Sequence, residues 1–270
     1  MELLVSTAAG ATPAYAYTGG KPFDPTLPSV VFVHGALNDH SVWTLLARWF
    51  AHHGHGVLAV DLPGHGRSGG APLASVEALA DWLLALLDAA GARQAAFVGH
   101  SMGSLIALEA AARAPARVAR LALIATAYPM KVSEALLDTA REAPLRAIDM
   151  VNTFSHSGIA AKPSYPGPGS WLHGGSRALM RRVQAGQAGL NLFHHDFGVC
   201  DRYAGGLEAA ARVQCPASLI LGARDQMTSP RQAAGLARAL KATIHSVGAG
   251  HALMAEAPDA VLAALRTALA

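Results

Sequence analysis

The chain has 270 residues, of which 52% are hydrophobic and only 14% are charged. This composition excludes an intrinsically disordered chain, and the length suits one large α/β domain with room for an insertion. The formal net charge is +3, and the basic residues are scattered, with only Arg181 and Arg182 adjacent. Because a nucleic-acid-binding protein would gather such residues on one element, we expect no nucleic-acid partner.

The compartment is predicted from what the first residues and the cysteines show. No apolar run reaches the roughly 18 residues that a membrane-spanning helix needs, and the start lacks the basic and apolar regions of a secretory signal. Cys200 and Cys215 are the two cysteines, which do not make a disulfide framework in a chain of this length. We therefore expect a cytoplasmic protein without a membrane span, while the sequence says nothing of its oligomeric state.

Strand-like and helix-like segments alternate along most of the chain after one or two opening strands in residues 1–28. Apolar runs of strand length, typical of parallel strands buried on both faces, are found at Ser29–Val33, Gly56–Val60, 95–100 and Ala217–Gly222, and further strands are predicted at 118–125 and 242–247. Apolar residues at helical spacing are found at 41–53, 75–90, directly after residue 101, at 230–240 and at 258–269. This alternation predicts an α/β fold with a mostly parallel central sheet flanked by helices.

The alternation stops between residues 129 and 212. Helical segments are predicted at 132–143 and 176–187, around a stretch rich in proline and glycine at 162–170. A mostly helical insertion between two strands of one sheet is typical of a lid over the ligand site. We therefore predict a core made of residues 1–128 and 213–270, and a mostly helical lid, or cap, made of residues 129–212.

The sequence Gly99-His100-Ser101-Met102-Gly103 joins a predicted strand directly to a predicted helix. A serine on so sharp a turn needs neighbours without Cβ atoms, so that strand and helix can approach closely. The turn lifts the serine hydroxyl above the sheet and aims the first N–H groups of the helix at the group that the serine attacks. Because a bare Gly-x-Ser-x-Gly pattern also occurs in ordinary loops, this interpretation needs a base and an acid elsewhere in the chain.

Two residues that follow later strands are suited to those tasks. Ser101 needs a base because a serine hydroxyl is a weak nucleophile, and His251 lies on a glycine-rich loop after the last predicted strand. Asp225, which follows the strand ending at Gly222, is placed to orient the imidazole. The carboxyl ends of parallel strands meet at one edge of a sheet, so these residues should converge. Activity should then fall below about pH 6.5, where histidine protonates.

Taken together, these motifs resemble the α/β-hydrolase superfamily, in particular its lidded esterases, C–C hydrolases and perhydrolases. The resemblance is carried by His34-Gly35, residues 61–68, residues 99–103, the strand that leads to Asp225, and Gly250-His251. It extends over the whole predicted core and leaves residues 129–212 without a matching motif. It implies the α/β-hydrolase fold with an inserted helical lid.

The resemblance also implies a role for each matching residue. Ser101 would be the nucleophile, His251 the general base and Asp225 the orienting acid. The backbone N–H groups of Ala36 and Met102 would form the oxyanion hole. No cofactor and no metal are implied. Aromatic, leucine and methionine side chains near the lid are predicted to line the substrate pocket or, equally, to pack within the lid; they are Leu37, Tyr128, Met130, Phe154 and Trp171.

Other polar residues near these motifs have a structural interpretation that we favour. His34 and His65 lie in turns, where a histidine often hydrogen-bonds the backbone, and His100 should point away from Ser101. Asp196 is expected to be a solvated lid residue. Adjacent histidines point in different directions, so His194-His195-Asp196 is a weak metal motif.

The sequence thus predicts a serine hydrolase that cleaves small-to-medium carboxylic esters through an acyl-serine intermediate. Its partner would be a small-molecule ester. A C–C hydrolase or a perhydrolase would use the same three residues, so both remain open. A protein of a different class, a ligand receptor with this fold and little turnover, also remains open. The serine at position 101 argues against dehalogenases and epoxide hydrolases of this superfamily, which carry aspartate there.

Overall fold

The structure is a computed structural model that describes residues 1–7, 10–157, 171–186 and 189–270. The proline- and glycine-rich stretch 162–170 lies outside the described residues, as does the end of the helix predicted at 176–187. The strands of the described part are β1 (Glu2–Thr7), β2 (Gly10–Tyr17), β3 (Ser29–Val33), β4 (Gly56–Val60), β5 (Ala95–His100), β6 (Val118–Ile124), β7 (Ala217–Gly222) and β8 (Thr243–Val247).

These strands form one sheet in the order β1-β2-β4-β3-β5-β6-β7-β8. Strand β2 pairs antiparallel with β1 and with β4, and the other neighbours pair parallel. The predicted mostly parallel sheet is therefore confirmed. The α-helices that accompany it are α1 (Thr44–His52), α2 (Val76–Ala89), α3 (Met102–Arg113), α4 (Glu134–Glu142), α5 (Pro144–Ser155), α6 (Leu172–Ala185), α7 (Leu192–Arg202), α8 (Gly206–Arg212), α9 (Ala234–Ala239), α10 (Leu253–Glu256) and α11 (Pro258–Ala268).

Helices cover both faces of the sheet, which explains why its central strands are mostly apolar. Successive side chains of a strand point to opposite faces of the sheet. Because helices cover both faces, every residue of β3 is buried. Val31 and Val33 belong to the apolar cluster that holds α2 and α3, whereas Val30 and Phe32 belong to the cluster that holds α1 and α11. The carboxyl ends of β3, β5, β7 and β8 lie at one edge, where the candidate site is found.

Helices α4 to α8 lie between β6 and β7, and we refer to them as the cap. Within the described residues no strand interrupts them. The helices observed at Glu134–Glu142 and Leu172–Ala185 overlap the two that the sequence predicts, while α5, α7 and α8 were not predicted. The cap has its own apolar cluster, which includes Ile148, Val151 and Phe193 and which Leu37 of the core joins. That the cap acts as a lid stays a prediction.

Hydrogen bonds attach the cap to the core on both sides of the site. The Ala252 N–H donates to the carbonyl of Ser155 at the end of α5 at 3.0 Å, and Arg182 of α6 pairs with Asp39 at 2.8 Å.

No helix of the described ranges is both long and apolar enough to cross a membrane. The cytoplasmic location stays a prediction.

Candidate active site

Ser101 occupies the turn between β5 and α3 and has a φ of 52° and a ψ of −118°. A positive φ costs a residue with a side chain of order 1–3 kcal/mol. The two glycines of the motif allow the turn: a Cβ on Gly99 would collide with the carbonyl oxygen of Gly103, and one on Gly103 would collide with that of Val33. The steric requirement predicted from the sequence is therefore met, and the Ser101 side chain is left partly exposed above the sheet.

The structure brings Ser101, His251 and Asp225 together. Nε2 of His251 lies 3.1 Å from Oγ of Ser101, and its Nδ1 lies 2.9 Å from Oδ2 of Asp225. Each residue follows a different strand, as expected. The imidazole is thus held between a hydroxyl and a buried carboxylate, which is the arrangement that proton transfer from the serine requires.

Asp225 is buried but well supplied with hydrogen-bond donors. Its Oδ1 accepts from the N–H groups of Met227 and Thr228 at 2.8 and 2.9 Å. Burial by itself would raise the pKa of Asp225, but the nearby His251 and the hydrogen bonds from His251 and Thr228 outweigh it and hold the pKa below its usual value. The carboxyl group is therefore ionised and can stabilise an imidazolium.

Thr228 is part of this arrangement, and the sequence reasoning missed it. Its Oγ1 donates to Oδ2 of Asp225 at 2.8 Å and to the carbonyl of Ala125 at 2.9 Å, sharing one proton, and lies 3.1 Å from Nδ1 of His251. The sequence does indicate this contact, because Thr228 is a hydroxyl residue three positions after Asp225. This spacing lets one carboxylate bond both the backbone and the side chain of the same threonine.

The predicted oxyanion donors are the backbone N–H groups of Ala36 and Met102: Met102 follows Ser101 directly, and Gly35, which precedes Ala36, packs so closely that an added Cβ would lie 3.1 Å from Cβ of Ser101. Met102 is the first residue of α3, so its N–H has no partner within the helix. The carbonyl of Gly35 accepts from Nδ1 of His34 at 2.8 Å and from the Asn38 N–H at 3.3 Å. Because C=O and N–H point in opposite directions in a trans peptide, the Ala36 N–H is turned away from those partners. Neither of the two N–H groups has an acceptor within the described residues. Their role as an oxyanion hole stays a prediction.

Two neighbouring histidines have the structural roles that the sequence favours. Burial, and then the closeness of His251, lower the pKa of His100 to about 3, and its Nε2 donates to the carbonyl of His251 at 3.0 Å. Burial, and then His65, lower the pKa of His34 to about 4, and its Nε2 accepts from the Leu62 N–H at 3.1 Å. Both side chains are neutral and already bonded to the backbone, so neither replaces His251 as the base.

A cavity of about 790 Å³ opens beside Ser101 and His251. Of the residues predicted to line the pocket, Met130, Phe154 and Trp171 lie on its wall. The cap helices add the apolar side chains of Leu136, Met150, Leu179, Met180 and Phe197 to the wall, and the core adds those of Val42, Leu45, Leu46, Met227 and Met254. Ser101 thus lies on the wall of a largely apolar chamber that core and cap build together.

Leu37 and Tyr128 are corrections to the predicted pocket, since neither lies on the described cavity wall. The Leu37 backbone has a φ of 53°, and its side chain is fully buried in the apolar cluster of the cap. The Tyr128 hydroxyl donates to the carbonyl of Ala204, and its ring meets that of Tyr203 edge to face. Both side chains therefore serve the attachment of the cap.

Asp196 is a second correction, because it is 1% exposed and not solvated. Its Oδ2 lies 2.9 Å from the backbone nitrogen of Leu37 and 2.9 Å from Nε2 of His65. Helix α7 thus packs this carboxylate onto the core at the residue that follows Ala36. The sequence could not show this, because the partners lie 131 and 159 positions away.

Asp39, His40 and Asp61 are the described side chains that come close enough together to share a metal ion. Asp61 already accepts from the His40 N–H at 2.7 Å and from its ring at 2.8 Å. Asp39 accepts from the Ser41 N–H at 2.9 Å and from Arg182 at 2.8 Å. These hydrogen bonds account for the cluster without a metal ion.

The α/β hydrolase fold family matches residues 28–258. The chain belongs to this family. It is 32% identical over 251 residues to a pimeloyl-[acyl-carrier protein] methyl ester esterase of Chromobacterium violaceum. The aligned region covers 87% of this chain and 84% of that esterase.

Two further likenesses concern part of the chain or the fold alone. An acetyltransferase component of the acetoin cleaving system of Pseudomonas putida is 41% identical over 99 residues, which is 36% of this chain but only 26% of that protein. The crystal structure of the enol-lactonase from Burkholderia xenovorans has a TM-score of 0.82 at 24% identity and covers 96% of each chain. The predicted α/β-hydrolase fold is confirmed.

Proposed function

We propose that the protein is a serine esterase that cleaves small-to-medium carboxylic esters through an acyl-Ser101 intermediate. The observation that carries this proposal is the unbroken chain of hydrogen bonds from Oγ of Ser101 through His251 to Asp225, which lies open to an apolar cavity. The relationship to a methyl ester esterase supports the ester as the substrate class.

In the first half of the reaction, Oγ of Ser101 attacks the ester carbonyl carbon while its proton passes to Nε2 of His251. The ionised Asp225 stabilises the resulting imidazolium. The N–H groups of Ala36 and Met102 stabilise the negative charge that develops on the carbonyl oxygen. When the tetrahedral intermediate collapses, the bond to the alcohol oxygen breaks and His251 returns its proton to that oxygen.

In the second half, water replaces the alcohol. His251 takes a proton from the water as its oxygen attacks the acyl carbon, and a second tetrahedral intermediate forms. Its collapse breaks the bond to Oγ of Ser101, which recovers a proton from His251. The products are one carboxylic acid and one alcohol for each ester and water consumed, and the enzyme is restored without a cofactor.

The cavity suggests the kind of ester. Its volume of about 790 Å³ lies within the usual range for small-molecule sites, and the cap contributes mostly aliphatic and aromatic side chains to it. An acyl or alcohol group of medium length would cover these apolar side chains, and each Å² of apolar surface removed from water would stabilise the bound ester by about 25 cal/mol. We propose that the cap acts as a lid that excludes water from this chamber.

The test compares Ser101→Ala with Ser246→Ala, which changes an exposed serine of β8. With p-nitrophenyl esters of increasing acyl length, we expect turnover by wild type and Ser246→Ala, and none above background by Ser101→Ala. Circular dichroism should be the same for all three proteins. Wild-type turnover by Ser101→Ala would overturn the proposal.

The same measurements separate the other chemistries of this fold. Faster reaction with hydrogen peroxide plus acetate would indicate a perhydrolase, and cleavage of a vinylogous 1,5-diketone a C–C hydrolase. Saturable binding of an ester without repeated turnover would indicate a receptor. We expect ester hydrolysis to be the fastest of these reactions, because the relative that matches most of the chain is a methyl ester esterase.

A further inference from the structure

The loop that carries the Ala36 N–H forms a tight turn over residues 35–38. The Asn38 N–H closes it by donating to the carbonyl of Gly35 at 3.3 Å. Leu37, the third residue, has a φ of 53°, whereas Ala36 does not have a positive φ. In a type II turn the third residue has a positive φ and the second does not, and glycine or asparagine normally occupies the third position. A leucine there needs stabilising contacts.

Those contacts hold the peptide between Ala36 and Leu37 at both ends. The Ala36 carbonyl accepts from Nδ2 of Asn38 at 3.2 Å, and the Leu37 N–H donates to Oδ2 of Asp196 at 2.9 Å. Type I and type II turns differ by a flip of this peptide. Because Ala36 lies between this peptide and the preceding one, the direction of its N–H is fixed when both are held.

Asp196 is itself fixed by a buried ion pair with His65. The two ring nitrogens of His65 face acceptors, the carbonyl of Pro63 at 3.1 Å and Oδ2 of Asp196 at 2.9 Å, so both carry hydrogen. Burial would lower the pKa of His65, but the charge of Asp196 and its hydrogen bond raise it above the usual value. Asp196 and His65 are 1% and 3% exposed. A carboxylate held in this way presents one defined acceptor to Leu37.

We propose that Asp196 is a positioning residue for acyl transfer, through which cap helix α7 holds the turn of residues 35–38 so that the Ala36 N–H faces the oxyanion. This inference rests on the proposed reaction at Ser101. Oxyanion donors act on charge that develops in the transition state, so a displaced turn lowers kcat and leaves KM nearly unchanged. A residue that only attached the cap would not separate these constants.

The test removes or keeps the acceptor at position 196. Complete loss of one oxyanion donor costs about 100- to 1,000-fold in kcat. In Asp196→Ala the Ala36 N–H is displaced but not lost, so we expect kcat to fall by about 10- to 100-fold. KM should stay within about threefold of wild type. Asp196→Asn keeps an oxygen for the Leu37 N–H and should retain kcat within about fivefold. The affinity for a trifluoromethyl ketone, which forms a tetrahedral oxyanion on the serine, should fall in parallel with kcat.

The matched control is Asp201→Ala, on the same helix. Asp201 also accepts a backbone N–H of another segment, that of Val132, at 3.1 Å, but it does not contact the turn. We expect its kcat to stay within about twofold of wild type. A kcat of wild-type size in folded Asp196→Ala, a change confined to KM, or an equal loss of kcat in Asp196→Asn and Asp196→Ala would each overturn the inference.

A second variant decides the matter if Asp196→Ala does not fold. Replacing His65 and Asp196 together by leucine exchanges a buried ion pair for apolar side chains, which is often neutral or stabilising, and still removes the acceptor. We expect the same loss of kcat; wild-type kcat would overturn the inference. The proposed function is judged separately, by Ser101→Ala, so wild-type esterase activity that depends on Ser101 but not on position 196 would remove this inference alone.

Discussion

At the scale of single residues, the tautomer of His251 is set by the group on each side of its ring. A carboxylate that is ionised accepts the hydrogen on Nδ1, which leaves the lone pair of Nε2 for the proton of Ser101. Asp225 stays ionised because its pKa is held below the usual value although it is buried. The geometry therefore selects the tautomer that a general base needs.

Replacing Asp225 tests the selection of this tautomer. We expect Asp225→Asn to lower kcat by about 10⁴-fold, the size of effect known when the third group of a serine triad becomes an amide, because the amide N–H would favour the wrong tautomer. The control is Asp149→Asn, which changes a half-exposed partner of Arg177. A kcat within tenfold of wild type in folded Asp225→Asn would contradict this account of His251.

Thr228 should have a smaller effect, because its hydroxyl supports Asp225 and does not replace it. Thr228→Val keeps the shape of the side chain but removes a hydrogen bond worth about 1 to 1.5 kcal/mol, so kcat should fall by roughly tenfold. The control is Thr267→Val on the exposed face of α11, where the hydroxyl bonds only the carbonyl of Ala263. If Thr228→Val and Thr267→Val have equal kcat values, Thr228 has no part in the site.

At the scale of elements, the turn between β5 and α3 depends on two backbone approaches that only glycine permits. We expect Gly103→Ala to lower the free energy of unfolding by about 3 kcal/mol, since the added Cβ meets the backbone of Val33. Urea denaturation measures this change. The control is Gly248→Ala, whose Cβ would meet no atom within 4 Å and which should change stability by less than about 1 kcal/mol. Equal stability of the two variants would contradict the steric explanation of the motif.

Much of the core was predictable because its signals are local. A strand buried on both faces needs a continuous apolar run, so Ser29–Val33 and Gly56–Val60 were predicted with the bounds that the structure shows. Ser101 follows such a strand and His251 follows the more exposed strand β8, and parallel strands bring their carboxyl ends to one edge. Order along the chain was therefore enough to predict which residues meet.

The contacts of the cap were not predictable, because they join residues that lie far apart in the sequence. Asp196 looked like a solvated lid residue because nothing near it in the sequence indicates its partner His65, 131 positions away. Leu37 looked like a pocket residue because its positive φ and its burial under the cap depend on tertiary contacts. Helices α5 and α7 do begin with local signals that the sequence reasoning missed, a proline at the first position of α5 and the N-cap residue Asn191 before α7. Where these helices lie depends on packing against one another and the core.

At the scale of the whole molecule, two buried histidines make stability depend on pH. The pKa values of His34 and His100 are lowered by burial to about 4 and about 3. Between pH 6.5 and about 4 the unfolded chain binds protons at these positions and the folded protein does not, so stability falls as pH falls, by about 1.4 kcal/mol per pH unit for each histidine. His65, whose pKa is raised, is charged in both states once the pH is well below 6.5 and there does not offset the loss.

Urea denaturation between pH 6.5 and 4.5 measures this dependence. We expect His100→Asn to reduce the slope of unfolding free energy against pH by about 1.4 kcal/mol per pH unit. His52→Asn, which changes an exposed histidine of α1, should leave the slope unchanged. An equal slope in wild type and His100→Asn would show that the buried histidine does not cause the acid sensitivity.

The central claim is that Ser101 forms a covalent acyl intermediate, and the most direct measurement of it is labelling by a fluorophosphonate followed by peptide mass spectrometry. We predict one adduct per chain, on the peptide that contains Ser101, and loss of p-nitrophenyl ester hydrolysis in proportion to labelling. Ester hydrolysis that continues in fully labelled protein, or an adduct that lies on another residue and abolishes hydrolysis, would contradict the account.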